Sequence, residues 1–504
     1  MIGHRATQPK VACHNCRRGR RRCDRSIPTC IKCHSTGQVC LGYGSILHWT
    51  NSIASRGKMM GKSFAVMMPS GSRLDNPRDC STSPVIASAF MSPRDDGSPA
   101  SSDSASSWCL ELNDPVFHDL SQTYRFYLSY YDRQVCKDLV LHDSPTRNPF
   151  RDLLSLAGNF TILQHILVAN AALHLANATK NEEFTWDARK EICPKAYRDA
   201  LVAKQKALCL LSEALADFNS ISSDIILAAI MLFIKFELLD YGANAWKFHT
   251  DGARQLLAYL RQNGKTDLSI TTGLRNCLIS NCVVYDIFGT TLTAPNMDND
   301  GSVSESLQEL YENAEVQANI CLSCPPLLLQ VIRDVSRRSP LPSSEKLLAV
   351  VDAFNPKAWV SSLQRVSSSF DVEMRTHIGF AYQAATKIYV LRATVPSNPL
   401  ITDRDSLEDL VSEVIAHLKY VPIDDPFFKT TCWPAFIAGA ETNDENNRSW
   451  VSYHFKMGQK TLPWGYLSNA LDLLQRVWTD KCRQETRTDW LMNLKLSEND
   501  WLIA

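Results

Sequence analysis

Six cysteines crowd the start of this 504-residue chain: Cys13, Cys16, Cys23, Cys30, Cys33 and Cys40, spaced C-x2-C-x6-C-x6-C-x2-C-x6-C. The first three recur as the last three after a shift of seventeen residues. A disulfide framework needs no such internal copy, whereas a metal cluster does. A structural zinc takes four thiolates in a tetrahedron. One zinc would leave two of these cysteines over. Two zincs need eight ligand positions, which six thiolates fill if two sulfurs bridge, and the repeat points to one equivalent cysteine from each half. Two Zn(II) against six thiolates leave a charge of minus two for neighbouring cations to offset. Residues 1–42 carry nine Lys or Arg and one acid, Asp24, so the stretch stays strongly basic. The basic residues are unequally shared: Arg17, Arg18, Arg20, Arg21 and Arg22 lie between Cys16 and Cys23, while the second half offers Lys32 and His34.

From about Ala12 to Gly42 these residues resemble the fungal Zn(2)-C6, or zinc binuclear cluster, family of transcription factors. The likeness rests on the six cysteines, Arg17 after the second, Asp24 after the third and Pro28 two before the fourth. It implies two short helices, bridging sulfurs at Cys13 and Cys30, and two Zn(II) ions. One ion would be held by Cys13, Cys16, Cys23 and Cys30, the other by Cys13, Cys30, Cys33 and Cys40, with Pro28 shaping the link between the halves. It also implies double-stranded DNA as partner, read at CG-rich, CGG-type triplets in the major groove by a helix of the first half. The family's base contact four residues after the second cysteine, usually Lys, falls here at Arg20, which can bond guanine O6 and N7 in bidentate fashion. Arg21 stands where the family more often has an apolar residue. Arg18, Arg21 and Arg22 are expected on phosphates, which position a protein without specifying sequence. Arg17 and Lys32 complete the expected DNA-contacting set. Gly19 is a poor helix former, so the first helix is expected to be short.

The elements that carry this module follow a shift in composition. Over residues 41–110 serine supplies sixteen positions, with Pro69, Pro77, Pro84, Pro93 and Pro99 among them, and no apolar periodicity persists. The expected organisation is a DNA-binding domain over 10–42, a Ser/Pro-rich disordered linker over 43–111 and a large all-α regulatory domain over 112–504. No heptad repeat follows the cluster, so a coiled coil is not the expected route to the homodimer that remains among the candidate partners. In the body, Leu201, Leu208, Leu211, Leu215 and Phe218 mark one face of an amphipathic helix. Asp224 is expected to cap a buried helix over Ile225–Asp240. Asp405 with Glu408 resembles a capping pair for a helix ending before Pro422. A loop is expected over Thr293–Ser302. Segments at Ala243–Leu257 and Trp433–Glu441, with the helices around Trp478 and Trp490, resemble the regulatory domain that accompanies such clusters in fungi, of the sterol-regulator-like class. That resemblance implies control of activity and, in some members, a small apolar ligand. Met231, Phe233 and Phe236 have the spacing either of a ligand pocket or of plain core, with core the more common outcome.

Formal net charge is zero but segregated, since residues 1–42 contribute plus eight and the remainder minus eight. A basic head on a mildly acidic body suits a protein of which only the head touches nucleic acid. The most apolar run, Ile225–Ile234, is too short to cross a bilayer, and no secretory signal precedes the cluster. The eleven other cysteines read as reduced residues, with Cys209, Cys277 and Cys282 in apolar helical patterns and Cys321 and Cys324 an isolated CxxC pair. Phosphate-loop, G-x-S-x-G and H-E-x-x-H motifs are missing, His165 and His174 are too far apart to share a metal within one helical turn, and Asp424-Asp425 sits between prolines as a loop. An enzyme is therefore not expected. The expectation is a zinc-dependent, nuclear, sequence-specific regulator of RNA polymerase II genes, governing a metabolic or secondary-metabolite set and working with the transcription machinery or co-regulators. Two alternatives are a zinc-containing co-regulator acting by protein contact and a sterol- or lipid-responsive sensor.

Overall fold

The computed structural model describes residues 12–26, 30–36, 40, 120–144, 148–179, 194–217, 221–263, 270–294, 324–337, 343–363, 371–394, 404–483 and 489–504. The expected linker, Pro28, Phe218, Cys321 and most of the expected loop at Thr293–Ser302 lie outside them. The chain divides into two units, Met1–Ala100 and Ser101–Ala504.

The first unit holds two one-turn helices, α1 (His14–Arg18) and α2 (Ile31–Ser35). Its buried cluster consists of Cys13, Cys16, Cys30 and Cys33, with Cys23 and Cys40 packed against it. A module whose interior is sulfur buries too little hydrocarbon to fold by the hydrophobic effect, so its stability has to come from what the sulfurs bind.

The second unit is helical, and its described residues hold no strand beyond an isolated bridge between Ala243 and Trp501. In chain order it contains α3 (Gln122–Tyr130), which runs on through a π turn at Tyr131–Val135, then α4 (Asp152–Ala157), α5 (Thr161–Ala178), α6 (Pro194–Ala216), α7 (Ser223–Asp240), α8 (Ala245–Asn263) and α9 (Thr272–Thr291). There follow α10 (Pro326–Arg337), α11 (Ser344–Ala353), α12 (Pro356–Leu363), α13 (Asp371–Thr394), α14 (Arg404–Leu418), α15 (Cys432–Glu441), α16 (Glu445–Thr461), α17 (Gly465–Arg483) and α18 (Trp490–Lys495).

Helix α7 runs through the core, buried from Asp224 to Leu239, as its all-round apolar pattern requires. Its cap is Ser222, whose hydroxyl accepts from the Asp224 amide. Asp224, expected in that role, is instead paired with Arg275 of α9. Three cap-competent side chains, Ser222, Ser223 and Asp224, stand in a row here, and a distant guanidinium takes the last of them. Met231, Phe233 and Phe236 are core residues: all are fully buried, Phe233 stacks on His249 at 5.0 Å, and the Lys204 ammonium lies 4.4 Å from the centre of the Phe236 ring. Helix α6 presents a different face from the one its leucines suggested. Ala196, Ala200, Ala203, Ala207, Leu211 and Ala214 are buried, while Leu201 and Leu215 are exposed. Alanines let α6 approach the alanine-rich α5 closely, and that close packing outweighs the burial of larger side chains. Cys209 is accordingly exposed, Cys277 half-buried and Cys282 buried.

Helices α15 and α17 with α18 bring the aromatic segments together. All ten residues of α15 are buried. Trp433 stacks on Tyr382 at 5.8 Å and meets Phe288 and Tyr389. Trp478 Nε1 donates to Gly439 O, and Trp490 Nε1 to Glu441 Oε2 at 2.9 Å. At Gly289 of α9 a Cβ would sit 2.1 Å from the Trp246 ring, so only glycine lets α8 and α9 meet there. The side chain of Asp405 lies outside the described residues; the Glu408 carboxylate accepts from the Thr442 hydroxyl and the Asn447 amide and so joins α14 to the start of α16. Asp425 caps the short turn Pro426–Thr430, as suits a loop residue.

His454 of α16 is buried, between Phe428 at 4.5 Å and Trp450 at 4.9 Å, with Nε2 2.7 Å from Thr431 Oγ1. Burial lowers its pKa from 6.5 to about 3. The unfolded chain therefore binds a proton that the folded body refuses across this window. The stability contributed by neutral His454 is present above pH 6.5 and is lost as pH falls toward 3, on the order of 5 kcal/mol in all. Urea midpoints followed by far-ultraviolet ellipticity should drop over that range, and less steeply in His454→Asn. An equal slope in the two proteins would rule the residue out as the cause.

Candidate zinc cluster and nucleic-acid interface

Both halves of the cysteine repeat fold by one local rule. Cys13 is the N-cap of α1, and its sulfur accepts from the Cys16 amide at 3.4 Å. Cys30 is the N-cap of α2, and its sulfur accepts from the Cys33 amide at 3.3 Å. Cysteine is not a common cap, but a thiolate at a helix N-terminus gains from the same orphan amides that a hydroxyl or carboxylate would use. The seventeen-residue repeat is thus a repeat of cap, turn and ligand.

The sulfurs converge. Cys13 Sγ lies 3.5 Å from Cys30 Sγ and 3.7 Å from Cys33 Sγ, and Cys16 Sγ lies 3.8 Å from Cys30 Sγ. Sulfurs at about 2.3 Å from one tetrahedral ion stand roughly 3.8 Å apart. Two quartets, Cys13–Cys16–Cys23–Cys30 and Cys13–Cys30–Cys33–Cys40, each have their sulfurs within 4.8 Å of one another. Cys13 and Cys30 belong to both. Burial pushes the thiols of Cys13, Cys16, Cys30 and Cys33 up. At Cys23 burial also raises the value, but the amides of Cys13 and Arg25 outweigh it and bring it to about 7. Buried thiols packed this closely give up their protons readily only to a cation, and the donor set fits zinc.

The first half ends in a reverse turn of specific form. The Arg21 amide donates to Cys16 O at 2.7 Å and the Arg20 amide to Arg17 O at 3.2 Å. These are the two bonds of a Schellman motif, in which the residue after the C-cap takes a left-handed backbone. That residue is Arg20, at φ +49°, and not the neighbouring Gly19, at φ −83°. Arg20, the expected base contact of the first helix, lies just beyond α1, held out of the helical path in a conformation that costs a non-glycine residue roughly 1 kcal/mol. Arg17, Arg20, Arg21, Arg22 and Lys32 are all exposed. Arg18 is the last residue of α1.

One functional residue escaped the sequence reading. The Asp24 carboxylate accepts from the amides of Ile31 at 3.0 Å, Lys32 at 3.2 Å and Ser26 at 3.3 Å, and from the Ser26 hydroxyl. Ser26 and then the Ile31 amide hold its carboxyl well below the usual range. Asp24 thus ties the end of the first half to the start of α2 and orients Lys32. Its position after Cys23 was noted, but its partners lie seven and eight residues ahead, beyond any local capping pattern.

Residues 126–503 match the fungal specific transcription factor domain, and residues 11–48 match the fungal Zn(2)-Cys(6) binuclear cluster domain. The chain belongs to this family of fungal transcription factors. The zinc-cluster domain implies zinc and DNA binding, and the family implies a nuclear place of action. The chain is 28% identical, over 99% of its length and 98% of the relative's, to the acriflavine sensitivity control protein acr-2 of Neurospora crassa. It is 22% identical, over 93% of its length and 86% of the relative's, to the phomenoic acid biosynthesis cluster-specific transcriptional regulator of Leptosphaeria maculans. No solved structure matches it. Both of its family domains are transcription factor domains, consistent with a chain that is not an enzyme. No helix among the described residues is long and apolar enough to cross a membrane.

Proposed function

We propose that Cys13, Cys16, Cys23, Cys30, Cys33 and Cys40 hold two Zn(II) ions, with Cys13 and Cys30 as bridges, and that the module over 10–42 reads CGG-type triplets through Arg20. The observation that carries this is the pair of overlapping sulfur quartets beside an arginine lifted clear of its helix. The zinc ions would supply the crosslink that a sulfur interior needs. Cys13 and Cys30 set the start of each helix, Asp24 sets the second helix against the first half, and Arg17, Arg18, Arg21, Arg22 and Lys32 neutralise phosphates. The helical body over 112–504 conveys a signal or binds co-regulators. A metabolic gene set, one for a secondary metabolite included, is the expected target, in keeping with a relative described as a biosynthesis cluster-specific regulator.

The test uses the zinc-loaded full-length protein on duplexes bearing CGG triplets and on scrambled controls. Affinity should fall steeply with salt in both cases, with a preference for CGG that survives. Arg20→Ala should remove about 1–3 kcal/mol of discrimination, whereas Arg21→Ala should weaken all sequences alike. Equal loss on all sequences in Arg20→Ala would make Arg20 a phosphate contact. No preference in the wild-type protein would favour a co-regulator that acts through protein contacts.

A further inference from the structure

Away from the cysteines, two histidines meet across a helix pair. His377 of α13 and His417 of α14 face each other with their Nδ1 atoms 2.9 Å apart. Neither ring is free to swing. His377 stacks on Tyr420 at 4.2 Å and 13°, and His417 stacks on Phe380 at 4.8 Å and 11°. Both side chains are half-buried. Burial lowers both pKa values, and His377 lowers that of His417 further. Nδ1 atoms this close share a hydrogen bond, one ring donating and the other accepting; with both protons on Nε2 the two Nδ1 lone pairs would be open to a cation, and among the described residues neither Nδ1 has another polar partner.

We propose that His377 and His417 form a second metal site, on the helical body, which takes one divalent first-row cation (nickel, copper or zinc) through the two Nδ1 atoms. With metal–nitrogen bonds of about 2.05 Å, nitrogens 2.9 Å apart subtend about 90° at the ion. That is the angle between neighbouring ligands in tetragonal or octahedral coordination, which suits Ni(II) and Cu(II) better than tetrahedral zinc. Imidazole nitrogens are the ligands these ions prefer. The remaining positions fall to water, since the pair is not sealed. Glu373 lies one turn before His377 and Glu413 one turn before His417, both exposed. Each shares a helix face with its histidine and adds negative charge beside the ion. An ion here would tie α13, which packs against α10, α11, α12, α14 and α15, to α14.

The probe is nickel chloride added to zinc-loaded full-length protein, with zinc content followed in parallel. Nickel should bind with one ion per chain attributable to this pair in equilibrium dialysis, and should raise the unfolding midpoint of the helical body with concentration, as any ligand selective for the folded state does. His377→Asn and His417→Phe should each lose that ion and that shift. His417→Phe keeps a ring against Phe380, so it guards against a variant that merely fails to fold. His142→Ala, at an exposed histidine elsewhere, should keep both. Absence of a nickel-dependent shift in the wild-type protein, or its survival in both variants, overturns the proposal.

Discussion

Cys13→Ser in the full-length protein abolishes specific DNA binding and lowers zinc content by more than one ion per chain. Cys13 Sγ is common to both sulfur quartets, and it also caps α1. A serine hydroxyl can still cap the helix but cannot bridge two zincs. Structural zinc supplies roughly 10–16 kcal/mol to modules of this size, far more than the rest of the unit can replace. Affinity should drop to the non-specific level, a loss of about a thousandfold or more. Cys30→Ser should match it, because Cys30 holds the equivalent position. Cys40→Ser touches one quartet alone and should retain more zinc. Metal analysis by atomic absorption, paired with anisotropy on labelled duplex, distinguishes the three. Retention of two zinc ions and of sequence preference in Cys13→Ser would refute the bridged assignment.

Glu441→Ala should destabilise the helical body by about 2–3 kcal/mol, because it takes from a half-buried guanidinium and from the Trp490 indole N–H the carboxylate they share. Glu441 is buried at the end of α15. Arg392 of α13 grips it with two nitrogens, with Nε at 2.6 Å from Oε2, and Trp490 Nε1 bonds the same oxygen at 2.9 Å. Lys481 Nζ donates to its main-chain oxygen at 2.7 Å. One carboxylate thus holds α13, α15 and α18, and α17 is fastened beside it. Glu441→Gln should cost less, since it keeps a hydrogen-bonding group in place. Glu445→Ala, at an exposed position, should change stability by less than about 0.5 kcal/mol. Chemical denaturation followed by ellipticity gives the comparison. An effect on Glu441→Ala no larger than that on Glu445→Ala would show that Arg392 finds another partner.

The two parts of the chain differ in how far they could be read. The ligand spacing of the cluster was legible because a tetrahedral ion dictates which neighbours along the chain can reach it. Helix α7 was legible because its apolar residues leave no polar face. The buried face of α6 was not, because alanine scores weakly as hydrophobic and close approach between backbones is visible only when both helices are present. Asp224 was the expected cap, but Arg275, fifty-one residues later, takes its carboxylate and Ser222 caps the helix instead. The Asp24 clamp and the pairing of His377 with His417 have the same character: each joins residues that no local pattern relates. The Trp433–Glu441 segment stood out in the sequence, and the structure supplies its reason in the carboxylate that gathers three helices.

The left-handed backbone at Arg20 sets two demands on one position. Folding of the first turn favours glycine there, since glycine adopts that conformation without strain. The guanine contact proposed for Arg20 requires a long cationic side chain. Drift toward glycine would make the fingertip sturdier and deafen it to sequence, whereas drift toward lysine would preserve charge and surrender the fork. Selection on target choice is therefore opposed, at this residue, by selection on folding. Under the proposed contact, an arginine standing there is a mark of use, because nothing in the turn itself favours it.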